Sequence, residues 1–334
     1  MNMRKWLADV QASATKKAMP ILSFPCVQLL GVSVGELVND ASLQAQGMKK
    51  IAERCDTLAA VSMMDLSVEA EAFGAEVRFD ENEVPAVTGA LVTTMEEAES
   101  LAVPDVTAAR CGLYQEAIRQ ACALITDRPV FAGVIGPFSL AGRLMDVTEI
   151  MVNCYAEPEM VHAVMEKAAA FLKKYILAYK AAGASGVVMA EPLTGMLSPA
   201  LAEEFSEKYV REVIEAVQDD EFIVIYHNCG NNVLLMADSI LSVGAAAYHF
   251  GNAVSLKDML GKAPADTVVM GNVDPAGQLK NGTPESVRAE TLRIMGECSA
   301  FPNFVISSGC DIPADSPWEN LDAFFGAVDS FYGK

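Results

Sequence analysis

The chain has 334 residues, 52% of them hydrophobic, and its 24 basic and 44 acidic residues give a formal net charge of −20. A surface this acidic disfavours nucleic acids and anionic membranes as partners. No apolar stretch is long enough to span a bilayer, and polar residues such as Asp9, Gln11 and Lys16 interrupt any signal-peptide core. We therefore expect a cytoplasmic protein whose eight cysteines are thiols or metal ligands rather than a disulfide framework.

Short apolar strands alternate with helical segments along most of the chain. In chain order the pattern predicts a strand at 20–30, a helix at 41–55, a strand at 57–63, a helix with a short extended piece at 69–82, a helix at 110–126, a strand at 129–135, a helix at 157–182, a strand at 186–190, a helix at 199–217, a strand at 222–226, a helix at 233–243, a strand at 245–249, a helix at 255–261, a strand at 267–270, a helix at 284–298, a strand at 304–307 and a helix at 317–332. Eight strands alternating with helices predict an α/β fold, a single (β/α)8 TIM barrel spanning 1–334 with an irregular N-terminal segment.

The most informative motif is His-Asn-Cys-Gly at 227–230, directly after the apolar run 222–226. His227 and Cys229 are two positions apart, so in extended backbone their side chains lie on the same side. Cys310 follows the last predicted strand, and strand ends meet at one rim of a parallel barrel. One imidazole and two thiolates suit a catalytic zinc with one open position. From spacing alone, a hydrogen-bonded core histidine is about as good an interpretation.

Two carboxylates also fall at predicted strand ends. Glu191 follows the strand 186–190 and is a fourth zinc ligand, a partner of His227 or a solvated loop charge. Asp65 follows the strand 57–63 and either faces the pocket or caps the next helix. We predict catalytic roles for both residues.

Two further turns follow apolar strands, and we predict that residues in them contact the cofactor. Gly136 begins Gly-Pro-Phe-Ser at 136–139, which forms either a simple turn or a backbone wall of the pocket. Asn272 and Asp274 lie in Gly-Asn-Val-Asp-Pro at 271–275, where Asp274 either caps a helix or faces the pocket. The Gly-x-Gly-x-x-Gly and Walker motifs are absent from the sequence, so dinucleotide binding and phosphoryl transfer have no support.

Taken together, these motifs resemble the uroporphyrinogen decarboxylase superfamily and, within it, the corrinoid-dependent methyltransferases, over nearly the whole chain. The resemblance rests on DLSVEAEAFG at 65–74, GPFSLA at 136–141, AEP at 190–192, HNCG at 227–230, GNVDP at 271–275 and SGCDIP at 308–313. The decarboxylases carry arginines for the porphyrinogen carboxylates in their first-strand segment, whereas residues 23–28 here contain none. Decarboxylation is therefore the runner-up interpretation.

The resemblance implies that His227, Cys229 and Cys310 hold zinc and that an acceptor thiol, with coenzyme M as the family-typical example, completes the site. The thiolate is the nucleophile, and the methyl group comes from a methylated corrinoid on a partner protein. Homocysteine, another thiol or tetrahydrofolate remain alternative acceptors. A non-catalytic, corrinoid-protein-binding zinc module and a homo-oligomeric assembly also stay open.

Overall fold

A parallel sheet is the framework of the fold in a computed structural model that describes residues 1–333. The strands in chain order are β1 (Ala60–Val61), β2 (Glu76–Arg78), β3 (Ala86–Thr88), β4 (Val130–Ile135), β5 (Gly186–Ala190), β6 (Ile223–Asn228), β7 (Ala247–Phe250), β8 (Val268–Val273) and β9 (Phe304–Ser308). Seven of them form one sheet in the order β1-β4-β5-β6-β7-β8-β9, with every neighbouring pair parallel. The antiparallel hairpin β2–β3 stands apart from it.

Helices connect the parallel strands, as the alternating pattern predicted. They are α1 (Met3–Ala12), α2 (Cys26–Leu30), α3 (Val34–Val38), α4 (Ala41–Arg54), α5 (Val68–Ala72), α6 (Met95–Ser100), α7 (Cys111–Leu124), α8 (Pro137–Met145), α9 (Val147–Ala156), α10 (Pro158–Ala181), α11 (Pro199–Ala202), α12 (Lys208–Val217), α13 (Ala237–Leu241), α14 (Leu256–Lys262), α15 (Pro284–Cys298) and α16 (Trp318–Tyr332). The longest, α10, begins at a proline and is followed by Gly183 at φ +105°, the start and stop signals that predicted it.

The predicted first strand at 20–30 is wrong. Its second half is helix α2, and its first half is extended chain without a regular ladder. Pro20 and Pro25 have no N–H to donate to a neighbouring strand, which explains the failure. The stretch just before it still lies between the edge strands of the sheet, since Met19 N–H donates to Ile306 O (3.0 Å) and Leu58 N–H donates to Ala18 O (2.8 Å). We call residues 18–21 the seam segment.

The N-terminal residues, expected to be irregular, form helix α1. Asn2 caps it by accepting a hydrogen bond from the Lys5 N–H (2.7 Å). Met3, Leu7 and Val10 on its buried face pack with inward-facing strand residues in one apolar group, the interior cluster, which also contains Ile225, Ala247 and Val305. The helix therefore covers the N-terminal end of the sheet, and a second, larger core lies between the sheet and the outer helices.

A π-helical turn at Glu203–Glu207 interrupts the helix that joins β5 to β6, between α11 and α12. Its last residue, Glu207, is fully buried, and neither carboxylate oxygen has a hydrogen-bond partner among residues 1–333. Burial raises the pKa of Glu207 to about 7, with Glu203 contributing, because a desolvated carboxylate without partners favours its neutral form.

Replacing Glu207 with glutamine should make the protein less sensitive to alkaline pH. The pKa of Glu207 is higher in the folded than in the unfolded state, so its contribution to stability is complete below pH ~4.5 and is lost as the pH rises to about 7. The variant should gain about 1–3 kcal/mol relative to wild type between pH 5 and pH 8, measured by urea denaturation. Glu215→Gln, an exposed site on α12, is the control; equal pH profiles for both variants would contradict the assignment.

Among the described residues, no helix combines the length and the apolar character that crossing a membrane requires.

Candidate metal centre

The three predicted ligands come together at the carboxyl ends of β6 and β9. His227 is in the last turn of strand β6, Cys229 follows that strand, and Cys310 follows β9. One ligand atom from each lies within 4.8 Å of the others, and Cys310 Sγ is 3.4 Å from His227 Nε2. The histidine is buried and both cysteines are partly exposed. This combination places two sulfur atoms where an incoming molecule can reach them.

The two thiols contact each other. Their hydrogen bond lowers the pKa of Cys229 and raises that of Cys310, because the thiol of Cys310 donates to the sulfur of Cys229 and stabilises it as a thiolate. All eight cysteines are free, as the sequence predicted.

A chain of hydrogen bonds fixes the proton on His227. Ser307 Oγ donates its single proton to Met19 O (2.7 Å), so it accepts in its contact with His249 Nε2 (2.7 Å). Burial, with His227 as a smaller cause, lowers the pKa of His249 well below its ordinary value, so the ring is neutral and its Nδ1 is an acceptor. His227 Nδ1 lies 2.8 Å from that Nδ1 and therefore carries a proton. His227 Nε2 is left with a free lone pair beside Cys310.

Strand alternation explains why these side chains meet. Ile225, Ala247 and Val305 belong to the interior cluster, and His227, His249 and Ser307 stand two positions later on the same strands, so they point inward too. His227 and His249 are register partners on β6 and β7. The sequence analysis missed His249 and Ser307 as site residues, because the inward alternation was readable but the register was not.

Glu191 lies beside His227 through its backbone, and its side chain points to α8. Its N–H donates to His227 O (2.8 Å). Its carboxylate accepts hydrogen bonds from Phe138 N–H (2.9 Å), Ser139 N–H (2.6 Å) and the Ser139 hydroxyl. Burial raises the pKa of Glu191 to about 7. Glu191 is not part of the cluster of ligand atoms, and its oxygens are occupied by the first turn of α8.

Gly136 leaves space for that carboxylate. A Cβ at position 136 would collide with the Glu191 side chain. The predicted backbone wall therefore packs against Glu191, and the glycine is required there by close approach.

Asp65 is held in a buried ion pair. It accepts hydrogen bonds from Arg110, from the Tyr114 hydroxyl (2.9 Å) and from the Ser67 hydroxyl (2.6 Å). Arg110 also pairs with Glu71 (2.6 Å), and its side chain is only 7% exposed. Asp65 begins the turn into α5, as its capping interpretation predicted, while Arg110 was missed because it lies far away in the sequence.

Asn272 and Asp274 fix loops near the cysteines. The Asn272 amide donates to Gly251 O (2.9 Å) and Val254 O (2.8 Å), which holds the loop after β7. That loop touches Cys229, since a Cβ at Gly251 would lie 2.5 Å from Cys229 Cβ. Asp274 accepts from the N–H groups of Ala276 (3.0 Å) and Gly277 (2.9 Å), the capping alternative.

Known proteins match this chain over most of its length. A family model described as Uroporphyrinogen decarboxylase (URO-D) matches residues 14–331. Methylcobamide:CoM methyltransferase MtbA of Methanosarcina mazei is 25% identical over 296 residues, covering 84% of each protein. A uroporphyrinogen decarboxylase of Methylobacillus flagellatus is 27% identical over 290 residues, covering 83% of this chain and 79% of that protein. The solved structure of a methyltransferase from Methanosarcina mazei superposes with a TM-score of 0.87 at 22% identity, covering 99% of this chain and 98% of that one.

Proposed function

The chain belongs to the uroporphyrinogen decarboxylase family, and from this premise we propose that it is a zinc-dependent methyltransferase, which moves a methyl group from a corrinoid on a partner protein to a thiol. The observation that carries the proposal is the convergence of His227, Cys229 and Cys310 within 4.8 Å at the carboxyl rim of the sheet. The similarity to a methylcobamide:CoM methyltransferase supports the same reaction class.

The donor atoms of this cluster fit zinc. One imidazole nitrogen and two sulfurs are the borderline and soft ligands that zinc accepts, whereas magnesium and calcium prefer oxygen. The hydrogen-bond chain leaves His227 Nε2 unprotonated, which is the form that ligates a metal. Three protein ligands leave a fourth position for substrate, as in catalytic zinc sites.

Bound zinc would supply the positive charge that removes the proton of the acceptor thiol. Cys229 and Cys310 place two electron-rich sulfurs beside that thiol, which keeps it nucleophilic. The thiolate sulfur forms a bond to the methyl carbon, and the carbon–cobalt bond breaks with its electron pair left on cobalt. The partly exposed cysteines face the rim, where a corrinoid-carrying partner has access.

We also propose positioning roles for the remaining predicted residues. Glu191 ties the first turn of α8 to the strand next to His227. Asn272 holds the loop that supports Cys229, and Asp65 anchors α5 at the rim through Arg110. The seam segment takes the place of the eighth strand and completes a (β/α)8 barrel.

Removing the acceptor of the His227 Nδ1 proton should weaken metal binding. In His249→Phe the zinc affinity should fall about 10–100-fold, the usual effect of losing the partner that orients a ligand histidine. Chelator competition with zinc, and the absorption spectrum with cobalt(II), measure it without turnover. His249→Gln keeps an acceptor and should recover most of the affinity, and His162→Phe, on α10, is the control. Unchanged affinity in His249→Phe would refute the proton assignment.

The experiment that tests the function combines metal analysis with a methyl-transfer assay. Purified protein should contain about one zinc per chain by the three-ligand argument, and it should demethylate methylcobalamin only when a thiol is present. Coenzyme M, homocysteine and 2-mercaptoethanol form the acceptor panel, with uroporphyrinogen decarboxylation measured in parallel. Zinc without thiol-dependent demethylation would favour the non-catalytic module, and decarboxylation without zinc would favour the runner-up.

A further inference from the structure

A small cavity opens beside the carboxyl end of β1, under the hairpin β2–β3. Its volume is about 210 Å³, and its walls are Met64, Leu66, Ser67, residues 84–87 and Arg143 from α8. Apart from Ser67, the other wall residues are apolar, so Arg143 is the one charged side chain that lines it. An apolar cavity with one cation suits a small molecule that carries one negative charge.

Arg143 has no hydrogen-bond or ion-pair partner among residues 1–333, although it is partly buried. Burial alone lowers its pKa, with no acidic group opposing that effect. The chain has 44 acidic residues for 24 basic ones, so an arginine without a carboxylate is unexpected. Arg110, which also approaches Ser67 (2.8 Å), is paired with both Asp65 and Glu71. The unpaired guanidinium therefore has its donors available to an external anion.

The cavity shares the rim of the sheet with the metal centre. Met64, Leu66 and Ser67 follow β1, while Cys229 follows β6 and Cys310 follows β9, and all three strands are parallel members of one sheet. Met64 also belongs to the interior cluster together with Ala190, and Ala190 is the register partner of His227. One methionine thus borders both the cavity and the interior at the level of the metal centre.

We propose that this cavity binds the acid group of the methyl acceptor, a carboxylate or a sulfonate, with Arg143 as its cation. The planar guanidinium offers two parallel donors to such a group. The assignment of the ligand as the methyl acceptor rests on the proposed function, whereas anion binding by the cavity does not. An acceptor held at both ends is an acidic thiol, which excludes neutral thiols as good substrates.

The first test measures anion binding without methyl transfer. Ethanesulfonate and propionate, which have no thiol, are titrated into wild type, Arg143→Gln and Arg78→Gln, with binding followed by ligand-detected NMR. Arg78 is an exposed residue on β2, so its variant matches the change in charge. We expect affinity to fall about 10–100-fold in Arg143→Gln, the effect of losing a charge-assisted hydrogen bond, and to stay constant in Arg78→Gln. No binding by wild type, or equal binding by Arg143→Gln, would overturn the proposal.

The second test compares 2-mercaptoethanesulfonate with 2-mercaptoethanol as acceptors. In Arg143→Gln the KM for the acidic thiol should rise while that for the neutral thiol is unchanged; an equal rise for both would refute the role in acceptor binding. Anion binding that depends on Arg143, together with no methylation of any thiol, would leave the cavity assigned and the proposed function refuted.

Discussion

Replacing Cys310 with serine should remove zinc and abolish methyl transfer. Cys310 Sγ is 3.4 Å from His227 Nε2 and is one of the three clustered donors. A serine hydroxyl does not ionise near neutral pH and is a poor zinc ligand. Losing the partner that orients a ligand already costs about 10–100-fold in affinity or activity, so losing the ligand should exceed the upper figure. Zinc content by mass spectrometry and the methylcobalamin assay measure both effects.

Cys122→Ser is the matched control, because Cys122 is a partly exposed free cysteine on α7 outside the cluster. It should keep its zinc and its activity. A Cys310→Ser protein with full zinc content and full activity would exclude the proposed metal centre, and circular dichroism of both variants separates that result from a failure to fold.

Replacing Arg110 with methionine should destabilise the protein by about 3–5 kcal/mol, the usual effect of removing one partner of a buried ion pair. Asp65, whose side chain is fully buried, would lose its cation, and Glu71 would lose the same partner. The loss is large because the remaining carboxylate stays buried without compensation. Urea denaturation followed by fluorescence measures it.

Arg119→Met tests the contrast on the same helix. Arg119 forms an exposed pair with Glu116, and such surface pairs contribute about 0–1 kcal/mol. The double variant Asp65→Asn with Arg110→Met should recover part of the loss, because no uncompensated charge remains. If Arg110→Met and Arg119→Met lose the same stability, Asp65 and Arg110 do not form the buried pair described above.

The convergence of His227, Cys229 and Cys310 could be predicted because it depends on two local facts. Each motif follows an apolar strand, and parallel strands end at one rim. The strand β6 runs two residues further than predicted, to Asn228, because polar residues at strand ends weaken the hydrophobic signal.

What the sequence analysis missed depends on non-local geometry. The contact of His249 with His227 requires the register of β6 on β7, and the contact of Ser307 with Met19 joins the two ends of the chain. Arg110 reaches Asp65 from a different helix. The wrong strand at 20–30 is a local error, since two prolines in an apolar run leave the chain extended without allowing it to form a ladder.

The seam segment links the closure of the sheet to the chemistry at its rim. Met19 uses its N–H to bond β9 and its carbonyl to accept from Ser307, so the last acceptor of the hydrogen-bond chain belongs to the least regular part of the ring. Any ligand that holds His227 Nε2 favours the proton arrangement that ends on Met19, and therefore favours the docked seam. By thermodynamic reciprocity, a docked seam must strengthen binding at His227 by the same factor, and local opening of the N-terminal segment would act on the site as a negative effector.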